Sequence, residues 1–259
     1  MIEAAVGAPV RQHDDGSWPA MHDLDIIRPD GVTGVVEVTA AADPAAIEQW
    51  NLMNGGGRWI VDTIRGGWAV HTRIGSSWRR LKVELPLLLQ QLEAHGISLL
   101  NVDERPRGDL QMAAAALGVA RAWQSGTDFP GSVYMNLEMP LDRLGGFVAR
   151  DGEALPIWIG SFLREPKQAD VLRKLTVPDA DERHAFIFLP GFNTAPFSVN
   201  YLLMRNDASV PTTPPDLPEP VTHAWAVSTW NSGVGFRWIS DAGWASFGKC
   251  IGADGIVPV

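Results

Sequence analysis

Apolar and polar positions alternate with period two in many short runs and recur at helical spacing in a few longer ones, which predicts an α/β chain. His22 to Ile27 and Val35 to Ala40 read as strands around the turn Arg28-Pro29-Asp30-Gly31. In that turn Pro presets φ, Asp bonds back to the backbone and Gly accepts positive φ. Asp43-Pro44 reads as an N-cap with proline at the first helical position, opening a helix to about Met53 that the glycines 55–57 end. Strands follow over Arg58 to Ile64 and Trp68 to Ile74, joined by a Gly66-Gly67 turn. Ser76-Ser77 caps a helix from Trp78 to His95 that Gly96 stops. Further on come a strand at Ile97 to Asp103, a helix at Gln111 to Leu117 and a strand at Gly131 to Leu137. Leu155 to Leu175 is a helix interrupted near Pro166, and His184 to Leu189 is an apolar strand. Val221 to Trp230 and Val234 to Ile239 form a hairpin around Asn231-Ser232-Gly233. The first twenty residues lack periodicity and read as a loose arm.

The expected architecture is a mixed central β-sheet flanked by helices. Residues 1–210 make the main domain, the proline-rich run 211–220 (PTTPPDLPEP) a linker, and 221–259 a C-terminal hairpin extension packed on the main domain.

Composition changes this picture little. With 46% hydrophobic and 20% charged residues the chain is ordinary globular material, and no apolar run approaches the length of a membrane span. The start has no basic segment followed by an apolar one, and the single cysteine, Cys250, excludes an internal disulfide. Both point to a cytoplasmic protein with no membrane association. A net charge of -9 disfavours a general polyanion binder, because affinity for nucleic acid rests heavily on phosphate neutralisation. Eleven tryptophans, spread along the chain, read mostly as core and core-rim residues.

The stretch with candidate chemistry is the first hairpin. Strand alternation puts Asp23 and Asp25 on one face and Glu37 and Thr39 on one face, so a suitable register sets Asp25 opposite Glu37. Paired carboxylates suit a hard cation that activates water. His22, at the opposite parity, points away from Asp25. Nucleophile-elbow, phosphate-loop and dinucleotide-binding motifs are absent, and the six histidines show no spacing typical of zinc sites.

Asp23-Leu24-Asp25-Ile26-Ile27-Arg28-Pro29-Asp30-Gly31 followed by Val35-Val36-Glu37-Val38-Thr39 resembles the core of the PD-(D/E)XK nucleases, in particular the Holliday-junction-resolvase-like endonucleases. The resemblance covers under a tenth of the chain. It implies a restriction-endonuclease-like core with large insertions and metal-dependent hydrolysis of nucleic-acid phosphodiesters. Mg²⁺ or Mn²⁺ would be held by Asp25, Glu37 and the backbone carbonyl of Val38. Thr39 stands where the family has its lysine. Some relatives carry a displaced lysine on a later helix, which implies Lys174, or Lys167, as the water-activating cation. The alternative is a catalytically inactive nuclease-like module that binds a protein partner, or a second copy of itself, through tryptophan-lined surfaces. The placement of Lys174 separates the two: close to the carboxylates it supports catalysis.

Overall fold

The computed structural model describes residues 1–18, 21–29, 31, 33–102, 105–126, 129–230 and 233–249. Asp30, Asp103, Asn231, Ser232 and Cys250, named above, lie outside the described residues. The chain divides at positions different from those its proline content suggests. Met1–Ala42 and Asp142–Val259 form one compact unit, and Asp43–Leu141 form a second, inserted in the sequence of the first.

The first unit opens with α1 (Ile2–Val6), β1 (Val10–Gln12), β2 (Leu24–Ile27) and β3 (Thr33–Ala40). The inserted unit contributes α2 (Pro44–Asn54), β4 (Trp59–Ile60), β5 (Gly67–Arg73), α3 (Trp78–Ala94), β6 (Leu99–Asn101), α4 (Asp109–Ala116), β7 (Val119–Gly126) and β8 (Ser132–Glu138). After α5 (Leu141–Leu144) the first unit resumes with α6 (Ala154–Leu163), a 3-10 turn at Pro166–Gln168, α7 (Ala169–Lys174) and β9 (Glu182–Leu189). It ends with α8 (Phe197–Leu203), β10 (His223–Ser228), β11 (Val234–Ile239) and β12 (Gly243–Gly248).

The first unit is built on a mixed open sheet of seven strands in the order β1-β2-β3-β9-β10-β11-β12. Its three central strands, β3, β9 and β10, run parallel, and the flanking strands pair antiparallel. One face carries Val35, Ala185, Ile187, Ala224, Ala226 and Phe236 into a core with Leu155, Ile159 and Phe162 of α6, Val171 of α7 and Val199 of α8. The other face presents Val36, Phe186 and Trp225, with Ile2, Ala5 and Val6 of α1 packed against them. The first residues are therefore a docked helix and an edge strand rather than a loose arm. Their apolar positions are too few to show a period, yet they bury against a face that needs covering.

The C-terminal segment corrects a second expectation. β10 is buried at all six positions in the middle of the sheet, not appended to it. The proline-rich run is held by specific bonds and is not a free linker. Thr212 N donates to Glu153 (2.6 Å), Arg164 Nη1 donates to the Asp216 carbonyl (2.8 Å), and Trp244 Nε1 donates to the Thr213 carbonyl (2.7 Å).

The inserted unit has its own five-stranded sheet, β4-β8-β5-β7-β6, with β5 and β8 parallel and the other pairs antiparallel. The Gly66-Gly67 turn does not make a hairpin, because β4 pairs with β8. Glu93 near the end of α3 fixes that turn. It accepts the N–H groups of Arg65 (2.8 Å) and Gly66 (3.0 Å) and the indole N–H of Trp68 (3.1 Å). Burial works against the carboxylate, but those donors hold its pKa below the usual range. Glu93→Ala is expected to cost about 2–3 kcal/mol by stranding these donors. Amide exchange at Arg65 and Gly66 should accelerate with it, and unchanged exchange there would refute the clamp. Among the described residues no helix is long and apolar enough to cross a membrane.

Candidate functional site

The register of the β2–β3 pair decides which carboxylates meet. Leu24 lies opposite Val36 and Asp25 opposite Val35, so Asp25 is not opposite Glu37. Asp23 Oδ2 instead accepts the backbone N–H of Val38 at 2.6 Å, which fixes the strand but occupies that carboxylate oxygen.

Glu37 sits on the face covered by α6, α7 and α8, aligned with Ala185 of β9, and is 4% exposed. Lys174, the last residue of α7, reaches down to it with Nζ 2.9 Å from Glu37 Oε1. Glu37 Oε2 is buried and has no hydrogen-bond partner among the described residues. Burial pushes the Glu37 carboxyl up to about 7 against the opposing pull of Lys174, and the contact with Glu37 raises the Lys174 ammonium in turn. Thr39, at the family's lysine position, donates its hydroxyl to Gln168 Oε1 at 2.9 Å. Lys167 pairs with Glu165 at 2.9 Å instead of with the hairpin.

Asp25 turns toward the β1 side. His13 Nδ1 lies 2.9 Å from its Oδ2 and His22 Nε2 lies 2.7 Å from its Oδ1, with Arg11 Nη2 3.9 Å from Oδ2. The imidazole rings of His13 and His22 stack, centroids 3.9 Å apart and 19° between planes. Burial alone would raise the Asp25 carboxyl, but the bonds from His22 and His13 hold it below its usual range. Strand alternation misplaces His22, because that residue precedes β2. Outside the strand parity does not decide direction.

A second polar cluster lies on the opposite face of the sheet, where Glu182-Arg183-His184 opens β9. His184 Nε2 lies 3.2 Å from Glu182 Oε2, Arg28 donates to that same oxygen at 2.9 Å, and His184 and His223 pack with centroids 4.1 Å apart. Trp225 Nε1 donates to His184 Nδ1 at 3.1 Å.

These positions test the metal site the resemblance implies. Asp25 engages the two histidines beside β1, while Glu37 engages Lys174 beneath α7. His13 and His22 take up both Asp25 oxygens and Lys174 takes up Glu37 Oε1, so a Mg²⁺ or Mn²⁺ ion shared between the two carboxylates would have to displace these partners. Comparison with protein-family models, with curated proteins and with solved structures returns no match. The chain is a mixed α/β protein with two separate sheets, and its function rests on the geometry above.

Proposed function

We propose that the seven-stranded unit is a divergent, restriction-endonuclease-like hydrolase of nucleic-acid phosphodiesters in which Glu37 and Lys174 are the reacting pair. The observation that carries this reading is the contact between Lys174 Nζ and Glu37 Oε1, made across 137 residues of sequence, with the second carboxylate oxygen left unpartnered in a buried place. An orphaned buried oxygen costs stability, and groups whose pKa is shifted by burial beside a fixed charge gather at working sites. A carboxyl held at about 7 is poised to take a proton from water near neutral pH, and the ammonium beside it stabilises negative charge developing on a phosphate. The displaced lysine arrives from a helix that precedes an apolar strand, as the resemblance implies. No step here runs through a metal ion.

The test is cleavage of labelled single- and double-stranded DNA and RNA, with chelator, Mg²⁺ or Mn²⁺ in separate arms. The wild-type rate should rise as pH passes through about 7, where Glu37 ionises. Glu37→Gln should lower it at least a hundredfold, the range of a lost general base. No turnover by the folded wild type in any arm would overturn the reading.

One observation favours the inactive protein-binding module: Glu37 is closed off from solvent, and Lys174 is largely buried with it. On that second reading Glu37→Gln changes stability and nothing else. The tryptophan-lined surface it invoked is sparse, since of the eleven only Trp18 and Trp230 are exposed.

A further inference from the structure

We propose that His13, His22 and Asp25 form a binding site for a divalent cation of the zinc class. The site is separate from the Glu37–Lys174 pair and does not rest on the hydrolase reading. One ligand atom from each residue lies within 4.8 Å of the others.

Three features make this more than a meeting of polar residues. The first is the donor set. Two imidazole nitrogens and one carboxylate oxygen suit Zn²⁺ and its first-row neighbours and are a poor match for Mg²⁺ or Ca²⁺, which prefer all-oxygen shells. Three protein ligands leave a fourth position for water, the pattern of a reactive rather than a purely structural zinc.

The second is that the backbone holds the ligands in place without the ion. His13 N and Asp14 N both donate to the Asp23 carbonyl, at 2.8 and 3.3 Å, which closes the β1–β2 pair beside the ligands. In the connecting loop Asp14 Oδ1 accepts Gly16 N at 2.8 Å and Asp15 Oδ1 accepts Ser17 N at 2.9 Å. His22 is 5% exposed, so its ring is not free to leave.

The third is the stacking. Two imidazoles lie face to face with a nitrogen of each aimed at a single carboxylate. A metal ion in place of the two N–H protons satisfies both nitrogens and the carboxylate once the rings tilt out of their stack so that each in-plane lone pair meets the ion. Zinc holds its ligands roughly 3.3–3.5 Å apart at bonds near 2.0–2.1 Å, so the 2.7 and 2.9 Å contacts need only lengthen slightly. Arg11, 3.9 Å from Asp25 and itself mostly exposed, opposes the ion's charge but can swing into solvent.

The comparable group on the other sheet face, Glu182, His184 and His223, fails by the same chemistry. An indole N–H only donates, so the Trp225 bond makes His184 Nδ1 the acceptor and leaves the proton on Nε2. That Nε2–H donates to Glu182, so His184 has no lone pair to give a metal in this cluster. It is a closed hydrogen-bond network.

The experiment uses the full chain, freed of metal, in a Cys250→Ser background so that a thiolate does not compete for zinc. Equilibrium dialysis against Zn²⁺ with metal analysis should give one ion per chain, and Co²⁺ should give a visible ligand-field spectrum. His13→Ala, His22→Ala and the isosteric Asp25→Asn should each weaken zinc on the order of a hundredfold or more. Circular dichroism of each variant confirms folding, and Asp25→Asn carries the decision where a histidine variant is unfolded. Glu182→Gln and Glu37→Gln should bind as wild type does. Zinc binding that survives Asp25→Asn, that is lost in Glu182→Gln, or that Mg²⁺ matches in affinity would overturn the proposal. So would a folded wild type that takes up no zinc at tens of micromolar. Failure of nucleic-acid cleavage would not touch it, because the readout is the ion itself.

Discussion

Replacing Lys174 by methionine is expected to destabilise the protein by about 3–5 kcal/mol at pH 8 and by clearly less at pH 5.5. Glu37 is fixed by β3 on the face that carries the main core, and the Lys174 ammonium is the cation it touches. Methionine keeps most of the aliphatic stem and removes the charge, leaving a buried carboxylate uncompensated at high pH. The sign follows from the raised pKa. The unfolded chain ionises Glu37 above about 4.5, whereas the folded chain keeps the proton until about 7. The wild type therefore loses stability as pH climbs through that window and levels off above it. Without the ammonium the folded carboxyl titrates higher still, so the loss continues to higher pH. At pH 5.5 the folded carboxyl is protonated, and Lys174→Met removes little more than a hydrogen bond. Urea unfolding at the two pH values checks this. Equal losses at both would show that the contact is not ionic, and Lys174→Met should be milder in a Glu37→Gln background, where no charge is stranded.

Much of the local structure was legible in the sequence because local physics produces it. Asp43 does cap α2, with Oδ1 accepting Ala46 N at 3.1 Å, and Ser77 opens α3. The first hairpin follows its alternation, since β2 and β3 lie on either side of the Pro29 turn. What failed was long-range. β7 was missed because Val119 to Gly126 (VARAWQSG) shows no clean alternation, and its pairing with β5 and β6 defines it. β12, Gly243–Gly248, lies beyond the expected hairpin, and its pairing with β11 defines it. The domain boundary was sought at the prolines, yet an insertion needs no proline where the chain leaves and re-enters a sheet.

The candidate site divides in the same way. Asp25 and Glu37 were found by parity, but their register was not, because a turn of moderate length leaves pairing open by a residue or two. Lys174 was reached only through the resemblance. His13 and His22 escaped because their spacing to Asp25 matches no short metal motif, and only the β1–β2 pairing brings His13 beside β2.

Trp225→Ala is expected to cost about 3–5 kcal/mol and Trp225→Phe about 1–3 kcal/mol, for two separable reasons. Trp225 is 1% exposed on the fully buried β10, edge-on to Phe247 at 5.3 Å and beside Phe186, with Arg237 5.7 Å above its ring. Alanine removes that area and leaves a cavity between the sheet and α1. Phenylalanine refills most of the space but deletes the N–H that satisfies His184 Nδ1, and His184, also 1% exposed, has no route to water. The network it anchors also sets the acid limit of the fold. The bonds from His184 and Arg28 hold the Glu182 carboxyl down to about 2, so its contribution is present above about 4.5 and is lost as pH falls toward 2. Burial, with His184 alongside, pushes the His223 imidazole down to about 4. The unfolded chain then gains a proton the native state refuses, and stability is lost as pH falls from about 6.5 to 4. Freeing His184 Nδ1 lets its ring change tautomer and release Glu182, so Trp225→Phe should move the acid unfolding midpoint to higher pH as well as lower stability at neutral pH. Denaturant unfolding at pH 7 and an acid titration followed by near-ultraviolet circular dichroism measure the two effects. If Trp225→Phe matches the wild type in both, the indole is only filling space, and the hydrogen bond to His184 contributes nothing to the fold.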